Sequence, residues 1–430
     1  MKRSLLLFCA ILIPAFTNFS QEMKPSPTPS RPRVVGVAPS PTPSKIVVIT
    51  NNLPPAPSPT PKPVYSPSPS PTPIIVGSTP NPKPVYQTGG NQLLSLGQIK
   101  SKLEEAKREM TARPITIALT DGTFTTNMVR VAFYDWDTRR LDYLVLTKDS
   151  FLTKEGEFFL TSANSKSMKI NIVRPNGVNT PVIISDLTGK THLPLMVQYP
   201  VERGGKYYET AYYMSTHPGL VTPEVVNAGK LYIRNTIDIA REKLRQKGIY
   251  IAPNVTDMAE RLSIVEHVDH LRFRTEYHPN IYNDIFTLYA LNEGQTYRYS
   301  VSSAGAGGMV QMIPSTYLMV RSRYFNAGLM PDFVEGMRNH VNAAQAMLCY
   351  MQMTYNDLVA NPTIAEAIRS GVARESELMS AGYNSNPAKL AGYIKRGGAN
   401  WRSLIPRETQ IYLQINASLD QYVPIVPRTK

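Results

Sequence analysis

Residues 282–316 read YNDIFTLYALNEGQTYRYSVSSAGAGGMVQMIPST, and this stretch decides how the C-terminal half of the chain is interpreted. Its first part has helical spacing, because apolar side chains recur three, four, seven and eight residues before Glu293. The spacing predicts that Glu293 ends the apolar stripe of a helix, which Gly294 then terminates in the left-handed conformation. A carboxyl group against apolar walls keeps its proton to higher pH, as a general acid requires. The alternative is a surface glutamate on a C-terminal turn that happens to point inward, which the spacing alone favours.

A glycine-rich segment follows, from Ser302 through SSAGAGG and MVQ to the turn that ends at Thr316. Glycine lets the backbone approach a ligand closely. Together with Glu293 this segment resembles the motif of the soluble lytic transglycosylase family, Glu-Ser, then Ser-x-x-Gly-Ala-x-Gly-Leu-Met-Gln and Ile-x-Pro-x-Thr. The register holds without a gap at Ser302, Gly305, Ala306, Gly308, Gln311, Pro314 and Thr316. Two departures matter: Gly294 replaces the family's serine, and Met309-Val310 replaces Leu-Met.

Three later segments resemble further motifs of the same family, in the family's order. Residues 339–348 resemble its helix of asparagine and small residues, and Tyr383-Asn384 resembles the core of its Ala-Tyr-Asn-Ala-Gly-Pro turn. Ser385-Asn386 stand where that turn has Ala-Gly. Residues 406–412, PRETQIY, resemble the closing motif Pro-x-Glu-Thr-x-x-Tyr. Each motif is weak alone, and their shared order is what makes the resemblance specific.

The resemblance implies a lysozyme-like domain that acts as a peptidoglycan lytic transglycosylase, a carbon-oxygen lyase. Such an enzyme cleaves the MurNAc-β-1,4-GlcNAc bond and leaves a 1,6-anhydroMurNAc end, with one carboxyl group serving as acid and then as base. Glu293 would be that group, and no metal or other cofactor is implied. The resemblance and the residue types predict these substrate-binding positions: Ser302, Gly308, Met309, Gln311, Thr316, Tyr383, Asn384, Glu408 and Tyr412.

Three alternatives remain at this point. One is a muramidase or chitinase on the same fold, in which water attacks the sugar. Another is a catalytically inactive wall-binding protein, with Gly294 marking the decay of the site. The third moves the acid to Glu266, in the run EHVDH. There Glu266, Asp269 and His270 would share one face of a helix predicted at Thr256–Leu271, with Thr256 as its N-cap.

The N-terminus has the composition of an export signal followed by a spacer. Lys2-Arg3 precede a short apolar run, which predicts a signal peptide over residues 1–20 that is cleaved near Thr17 to Ser20. Residues 21–91 are built on Pro-Ser-Pro-Thr-Pro units and are predicted to be a disordered Pro/Ser/Thr-rich spacer. We therefore expect a secreted protein of the periplasm or cell envelope.

The net charge bears on which partners the protein binds, and the cysteine content bears on how its core is built. The formal net charge is +14 over 430 residues, but no basic cluster carries interleaved aromatics, so nucleic-acid binding is not expected. Peptidoglycan glycan strands are the expected partner, with envelope proteins as possible partners of the spacer or the β-rich region. Outside the signal peptide, Cys349 is the only cysteine, and it is predicted to pack as a small apolar side chain.

Between the spacer and the motifs the pattern is that of short strands separated by turns. Eight strands are predicted, at the following residues: Ile115–Leu119, Met128–Tyr134, Leu141–Leu146, Phe158–Thr161, Ile170–Val173, Val182–Ile184, Leu195–Tyr199 and Tyr207–Tyr213. The predicted fold class is α+β. A β-sandwich or small β-barrel of unknown role at 92–216 precedes a mostly helical lysozyme-like domain at 217–430. This division predicts that residues 217–430 fold and cleave glycan alone.

Overall fold

The computed structural model describes residues 93–115 and 126–429, which belong to one compact unit that spans residues 75–430. The predicted signal peptide, the spacer and all but the first residue of the strand predicted at Ile115–Leu119 lie outside the described residues. In the described residues one helix comes first, seven strands follow it, and a mostly helical region comes after the strands. The molecule is therefore of mixed α and β structure.

The strands form one curled antiparallel sheet, a half-barrel. Its order is β2-β1-β6-β5-β4-β3, with β7 also paired to β6. All seven predicted strands that fall in the described residues are confirmed, with these bounds: β1 Met128–Asp135, β2 Arg140–Thr147, β3 Glu157–Thr161, β4 Ser167–Ile172, β5 Val182–Asp186, β6 Thr191–Arg203 and β7 Lys206–Tyr213.

Strand β6 is the longest and organises the sheet. It pairs with β1 on one edge and with both β5 and β7 on the other. The register with β1 shifts between Ala132 and Phe133, where Phe133 faces Pro194. Proline has no N–H to donate to a ladder, so such a bulge is where a strand tolerates it, and the bulge bends the sheet.

Two apolar layers cover the faces of the sheet. One layer contains Val131, Phe133, Leu144 and Ile170, all fully buried. On the other face lies helix α1, Leu96–Ala112, which buries the four residues Ile99, Leu103, Ala106 and Met110. The charged pattern of residues 98–110 predicts a surface helix, and the surface position is wrong. Helix α1 packs against β6 and against the helical region, in a cluster with Leu195, Val225 and Leu291.

The helical region surrounds one central helix, α9, His340–Ala360. Most of α9 is buried, including Cys349, whose thiol has its pKa raised to about 12 by burial, as expected for a cysteine packed in the core. The short helix α2, Lys148–Phe151, lies between β2 and β3. The other helices of the helical region are α3 Pro223–Gln246, α4 Pro253–Val265, α5 His270–Thr275, α6 His278–Leu291, α7 Pro314–Arg323, α8 Phe333–Arg338, α10 Pro362–Arg369, α11 Glu375–Asn384, α12 Leu390–Gly397 and α13 Arg407–Tyr422.

The helix predicted at Thr256–Leu271 is wrong at both ends. Helix α4 begins at Pro253, and Thr256 is a buried residue of its first turn whose hydroxyl donates to the Ala252 carbonyl at 3.0 Å. The helix stops at Val265, and Asp269 caps α5 by accepting from the backbone N–H groups of Leu271 and Arg272. Glu266 and Asp269 therefore do not lie on one helical face, because a turn separates the two helices.

The C-terminal tail is held against α3 and α4 by Arg428. Its side chain is only 5% exposed and pairs with Asp238 at 2.6 Å, Asp257 at 2.9 Å and Glu260 at 2.7 Å. Burial raises the pKa of Glu260, and Arg428 opposes that effect. The tail is thus fixed by a buried charge network.

We expect Arg428→Ala to lower the free energy of unfolding by about 3–5 kcal/mol, because it leaves Glu260 buried without its main partner. Arg234→Ala is the matched control. Arg234 contacts the same carboxylate at 3.4 Å from a more exposed position, and its loss should cost about 1 kcal/mol or less. Denaturant unfolding of both variants measures the difference, and equal losses would contradict a central role for Arg428.

Candidate active site

Glu293 lies outside the apolar stripe on which it was predicted. The stripe itself is buried, at Ile285, Phe286, Tyr289 and Ala290, but α6 ends at Leu291. The Glu293 side chain is 51% exposed and forms an ion pair with Lys100 of α1 at 2.7 Å. Its predicted apolar surroundings are therefore wrong, while its catalytic role stays a prediction.

The early end of α6 has a tertiary cause. The Asn292 side chain accepts a hydrogen bond from the Met214 N–H at 2.9 Å and donates one to the Met214 carbonyl at 2.8 Å. This pair of bonds joins the helix end to the segment that follows β7. The chain then leaves the helical path, and Glu293 falls on the surface side of the turn.

Glu266 is the carboxyl group with the properties predicted for the general acid, namely partial burial and a proton retained to higher pH. It follows the last residue of α4, is half-buried, and accepts a hydrogen bond from the Tyr412 hydroxyl at 2.6 Å. Burial raises its pKa to about 8, the hydrogen bond from Tyr412 opposes this, and the negative charge of Glu408 adds to it. At neutral pH Glu266 therefore holds a proton while part of its side chain remains accessible.

The two later motifs meet beside Glu266. Tyr412 is buried on α13, and Tyr383 at the end of α11 donates from its hydroxyl to the Val310 carbonyl at 2.7 Å. Burial, followed by the charge of Glu266, raises the pKa of the Tyr383 phenol far above its ordinary value. Asn384 accepts from the Thr409 hydroxyl at 2.8 Å and so joins α11 to α13. Helices α11 and α13 thus place two neutral phenols around one carboxyl group.

The glycine-rich loop is tied to the residue after Glu266. The His267 ring donates from Nε2 to the Met309 carbonyl at 2.9 Å, since a carbonyl can only accept. Burial lowers the pKa of His267 to about 3, so the ring is neutral, and it stacks on Tyr297 with centroids 3.4 Å apart. The loop is therefore positioned by the same turn that carries the acid.

The predicted loop residues differ in accessibility. Ser302 is exposed and its hydroxyl accepts from the Ala306 N–H at 3.0 Å, whereas Met309 is fully buried. Gln311 is half-buried in the left-handed conformation and donates to the Gly308 carbonyl at 2.8 Å. Thr316 is half-buried in α7, and Glu408 is exposed in the first turn of α13. The Met309 side chain thus packs in the core and leaves only its backbone for other contacts.

Gly308 has a φ of +67°, and a Cβ there would lie 2.5 Å from the Met337 carbonyl oxygen. Gly308→Ala should lower the free energy of unfolding by about 2–4 kcal/mol, from backbone strain and overpacking together. Gly305→Ala is the control, because Gly305 has a φ of +77° but its nearest neighbour would be 3.8 Å away. Its cost should be about 1–2 kcal/mol. Equal costs in thermal or denaturant unfolding would rule out the close approach to Met337.

A cleft of about 820 Å³ opens beside Glu266, between the curled sheet and the helices. The substrate-binding residues predicted from the sequence do not line it. From the sheet side it is lined by Lys148, Arg174, Pro175, Asn176, Gly177, Val178, Asn179, Tyr199, Val201, Glu202, Tyr213 and Thr216. From the helical side it is lined by Glu266, His267, Val268, Asp269, Arg272, Asp284, Ile285, Leu288, Tyr297, Tyr299 and Ser300.

Charged side chains in the cleft are arranged around Arg272. It donates to Asp284 at 2.7 Å and forms a two-pronged pair with Glu276 at 2.8 and 3.0 Å. Burial raises the pKa of Asp284, and Arg272 opposes that effect. Across the cleft, Lys148 pairs with Glu202 at 3.2 Å and lies 5.0 Å from the Tyr199 ring. The cleft is therefore polar, with tyrosine rings among its charges.

Ligand atoms of Asp135, Asp137 and His192 lie within 4.8 Å of one another, a spacing that would suit a metal ion. Lysines already serve both carboxylates, however, since Lys166 pairs with Asp135 and Lys190 with Asp137. Asp135 also accepts from the Asp137 N–H at 2.9 Å, the hydrogen bond of an ordinary turn. Although burial opposes it, the hydrogen bond from Lys166 lowers the pKa of Asp135 to about 2. The group is best explained as an ion-paired turn.

Comparisons of the chain with protein-family models, curated proteins and solved structures found no match. Among the residues that the structure describes, no helix has both the length and the apolar composition needed to cross a membrane.

The raised pKa of Glu266 predicts how stability depends on pH. Between the ordinary value of 4.5 and the folded value of about 8, the folded protein keeps a proton that the unfolded chain has released. The wild type should therefore lose stability across this range as the pH rises. Glu266→Gln does not ionise, so its advantage over the wild type should be small near about pH 4 and largest above about pH 8. Denaturant unfolding across this range is the measurement, and a pH-independent difference would contradict the raised pKa.

Proposed function

We propose that this chain is a peptidoglycan lytic transglycosylase in which Glu266 is the catalytic acid and base. The observation that carries the proposal is one half-buried carboxyl group at a cleft, with a pKa of about 8 and a hydrogen bond from Tyr412. A general acid works best when its pKa lies near the operating pH. The family-like motifs support the substrate class, since the glycine-rich loop, α11 and α13 all meet beside this group.

Glu266 suits the role better than Glu293. A carboxyl group removed from water keeps its proton to higher pH, as a general acid requires. Glu293 has Lys100 at 2.7 Å, while Glu266 has two phenols around it. With Glu266 as the acid, α5 and α6 lie between the acid and the glycine-rich loop along the chain. In the family this spacing is short.

The proposed reaction needs one carboxyl group. Protonated Glu266 donates to the bridging oxygen between MurNAc and GlcNAc as the bond to the anomeric carbon breaks. The N-acetyl oxygen of the substrate stabilises the positive charge at that carbon. The Glu266 carboxylate then takes the proton from the C6 hydroxyl, whose oxygen bonds to the anomeric carbon and forms the 1,6-anhydro ring. No water is consumed, and Glu266 ends protonated, ready for the next cycle.

We further propose that residues 217–430 form a lysozyme-like catalytic domain and that the protein acts in the periplasm or cell envelope after export. A central buried helix, an acid at a helix end and a glycine-rich loop beside it support the first part. The export signal that the sequence predicts at residues 1–20 supports the second. Peptidoglycan strands would be the partner of the cleft, with envelope proteins as further partners of the spacer or the sheet.

A hydrolase remains the second candidate because the cleft contains other carboxylates. An ordinary glycosidase needs a pair of carboxyl groups. Asp284 and Asp269 both line the cleft with Glu266, although Asp284 is bound to Arg272 and Asp269 caps α5. A wall-binding protein without activity is less favoured, since a buried carboxyl that does no chemistry only costs stability.

Clearing of purified peptidoglycan in a gel tests the enzyme class. We expect the full chain to clear peptidoglycan and to leave chitin unchanged. Clearing of chitin alone would identify a chitinase. Binding to the wall with no clearing of either polymer would identify the inactive wall-binding protein and contradict the proposal.

A further inference from the structure

Arg174 is an arginine of the cleft with few partners. It lies just after β4 in the connection to β5 and lines the cleft opposite the helical wall. Its side chain is 34% exposed, and its ion pair with Asp284 is long, at 3.9 Å. The guanidinium donates no hydrogen bond to the residues that the structure describes, although an arginine carries five N–H donors.

Asp284 is already bound by a closer cation. Arg272 donates to Asp284 at 2.7 Å and also holds Glu276. Burial, followed by the nearby charge of Arg272, lowers the pKa of Arg174, and the charges of Asp284, Glu276 and Asp269 oppose this only in part. Arg174 is therefore a partly desolvated cation that borders an open cleft, with a long ion pair to Asp284 and no hydrogen bond to a described residue.

The rest of this wall suits a sugar. Asn176 is exposed at the cleft, Asn179 lies near it, and Tyr199 contributes a half-buried ring. Amide groups match hydroxyl and acetamido groups in hydrogen bonding, and aromatic rings cover the apolar faces of sugars. A planar guanidinium beside them matches a carboxylate through two parallel hydrogen bonds.

We propose that Arg174 binds a carboxylate carried by the glycan in this cleft, so that the curled sheet selects peptidoglycan over uncharged chitin-like polymers. The inference rests on the proposed function, because it places a glycan beside Glu266. The carboxylate has two possible sources in peptidoglycan: the lactyl group of MurNAc when it carries no peptide, and the stem peptide when it does.

Equilibrium binding to the full chain carrying Glu266→Gln tests this inference without consuming the ligand. Three soluble ligands of equal sugar length are compared: GlcNAc oligomers, GlcNAc-MurNAc oligomers with free lactyl groups, and the same oligomers with stem peptides. Adding Arg174→Gln should weaken binding of a carboxylated ligand at least about 10-fold and leave GlcNAc oligomers unchanged. The carboxylated ligand that loses affinity identifies the source.

Two further variants serve as controls. Arg174→Lys keeps the charge but loses the planar guanidinium, so its affinity for the carboxylated ligand should lie between that of the parent and that of Arg174→Gln. Arg203→Gln removes an exposed arginine that contacts the Tyr208 ring and does not line the cleft, and it should change nothing. Thermal unfolding of each variant shows whether the fold is intact.

The inference is overturned if Arg174→Gln binds all three ligands like its parent, or if it loses all three equally. It is also overturned if the parent binds no glycan. If the parent binds carboxylated glycans through Arg174 but the wild type cleaves nothing, the inference stands and the proposed activity is wrong.

Discussion

Glu266→Gln should lower the rate of peptidoglycan cleavage by at least about 100-fold, the scale of lost general acid catalysis. Glutamine keeps the shape of the side chain but has no proton of suitable acidity to donate to the bridging oxygen. The hydrogen bond from Tyr412 at 2.6 Å has a carbonyl oxygen to reach in the variant, so the site should stay assembled. Release of soluble fragments from purified peptidoglycan, at substrate saturation and near pH 7, is the measurement.

Glu293→Gln is the matched control for this experiment. It makes the same chemical change on an exposed side chain whose partner is Lys100, and the rate should stay close to that of the wild type. The opposite pattern, with Glu293→Gln inactive and Glu266→Gln active, would restore the prediction made from the motif's register. Loss of activity in both variants would mean that the ion pair between Glu293 and Lys100 of α1 supports the site.

The second large effect is expected from removing residues 93–216, which should abolish cleavage. Those residues supply one wall of the cleft. They also cover Val225, Ala290 and Leu291, which share an apolar cluster with α1 and β6. Asn292 would lose both of its hydrogen bonds to Met214. The sequence predicts that residues 217–430 fold and cleave glycan alone. These contacts lead us to expect that they do not.

A chain that lacks only residues 1–92 is the control for this deletion and should keep its activity, because the cleft-lining residues all lie beyond them. Circular dichroism and cooperative unfolding report on folding, and fragment release reports on activity. An isolated 217–430 chain that folds cooperatively and cleaves peptidoglycan would show that the sheet is dispensable.

Local patterns predicted much of the secondary structure because turn signals and alternation act over a few residues. The strands at Met128–Asp135 and Arg140–Thr147 differ from their predicted bounds by one residue at each end at most. The burial of Ile285 and Phe286 was likewise predicted from helical spacing. Such patterns do not predict the end of a helix when that end is set by contacts with a distant part of the chain.

Glu293 was predicted to lie in apolar surroundings because a local pattern does not show where α6 ends. Glu293 continues the spacing of α6, but the bonds between Asn292 and Met214 end the helix before it. Glu266 carried a signal of its own, since it follows the largely apolar run Leu262-Ser263-Ile264-Val265. The family's short spacing between acid and loop drew the prediction to the nearer glutamate.

The cleft was beyond sequence reasoning for a different reason. Arg174 and Asp284 approach to 3.9 Å although they are far apart in the chain, and Tyr412 reaches Glu266 from α13. No periodicity or motif relates such positions. Only the packing of the curled sheet against the helices brings the two walls together.

The mass of the sugars released from purified peptidoglycan in ¹⁸O-labelled water tests whether Glu266 alone carries out the cleavage. We expect products one water lighter than hydrolysed sugars, with 1,6-anhydroMurNAc ends, no incorporated ¹⁸O, and no such products from the Glu266→Gln chain. Reducing MurNAc ends that carry ¹⁸O would show that water attacks the sugar, and would contradict the single-carboxyl mechanism.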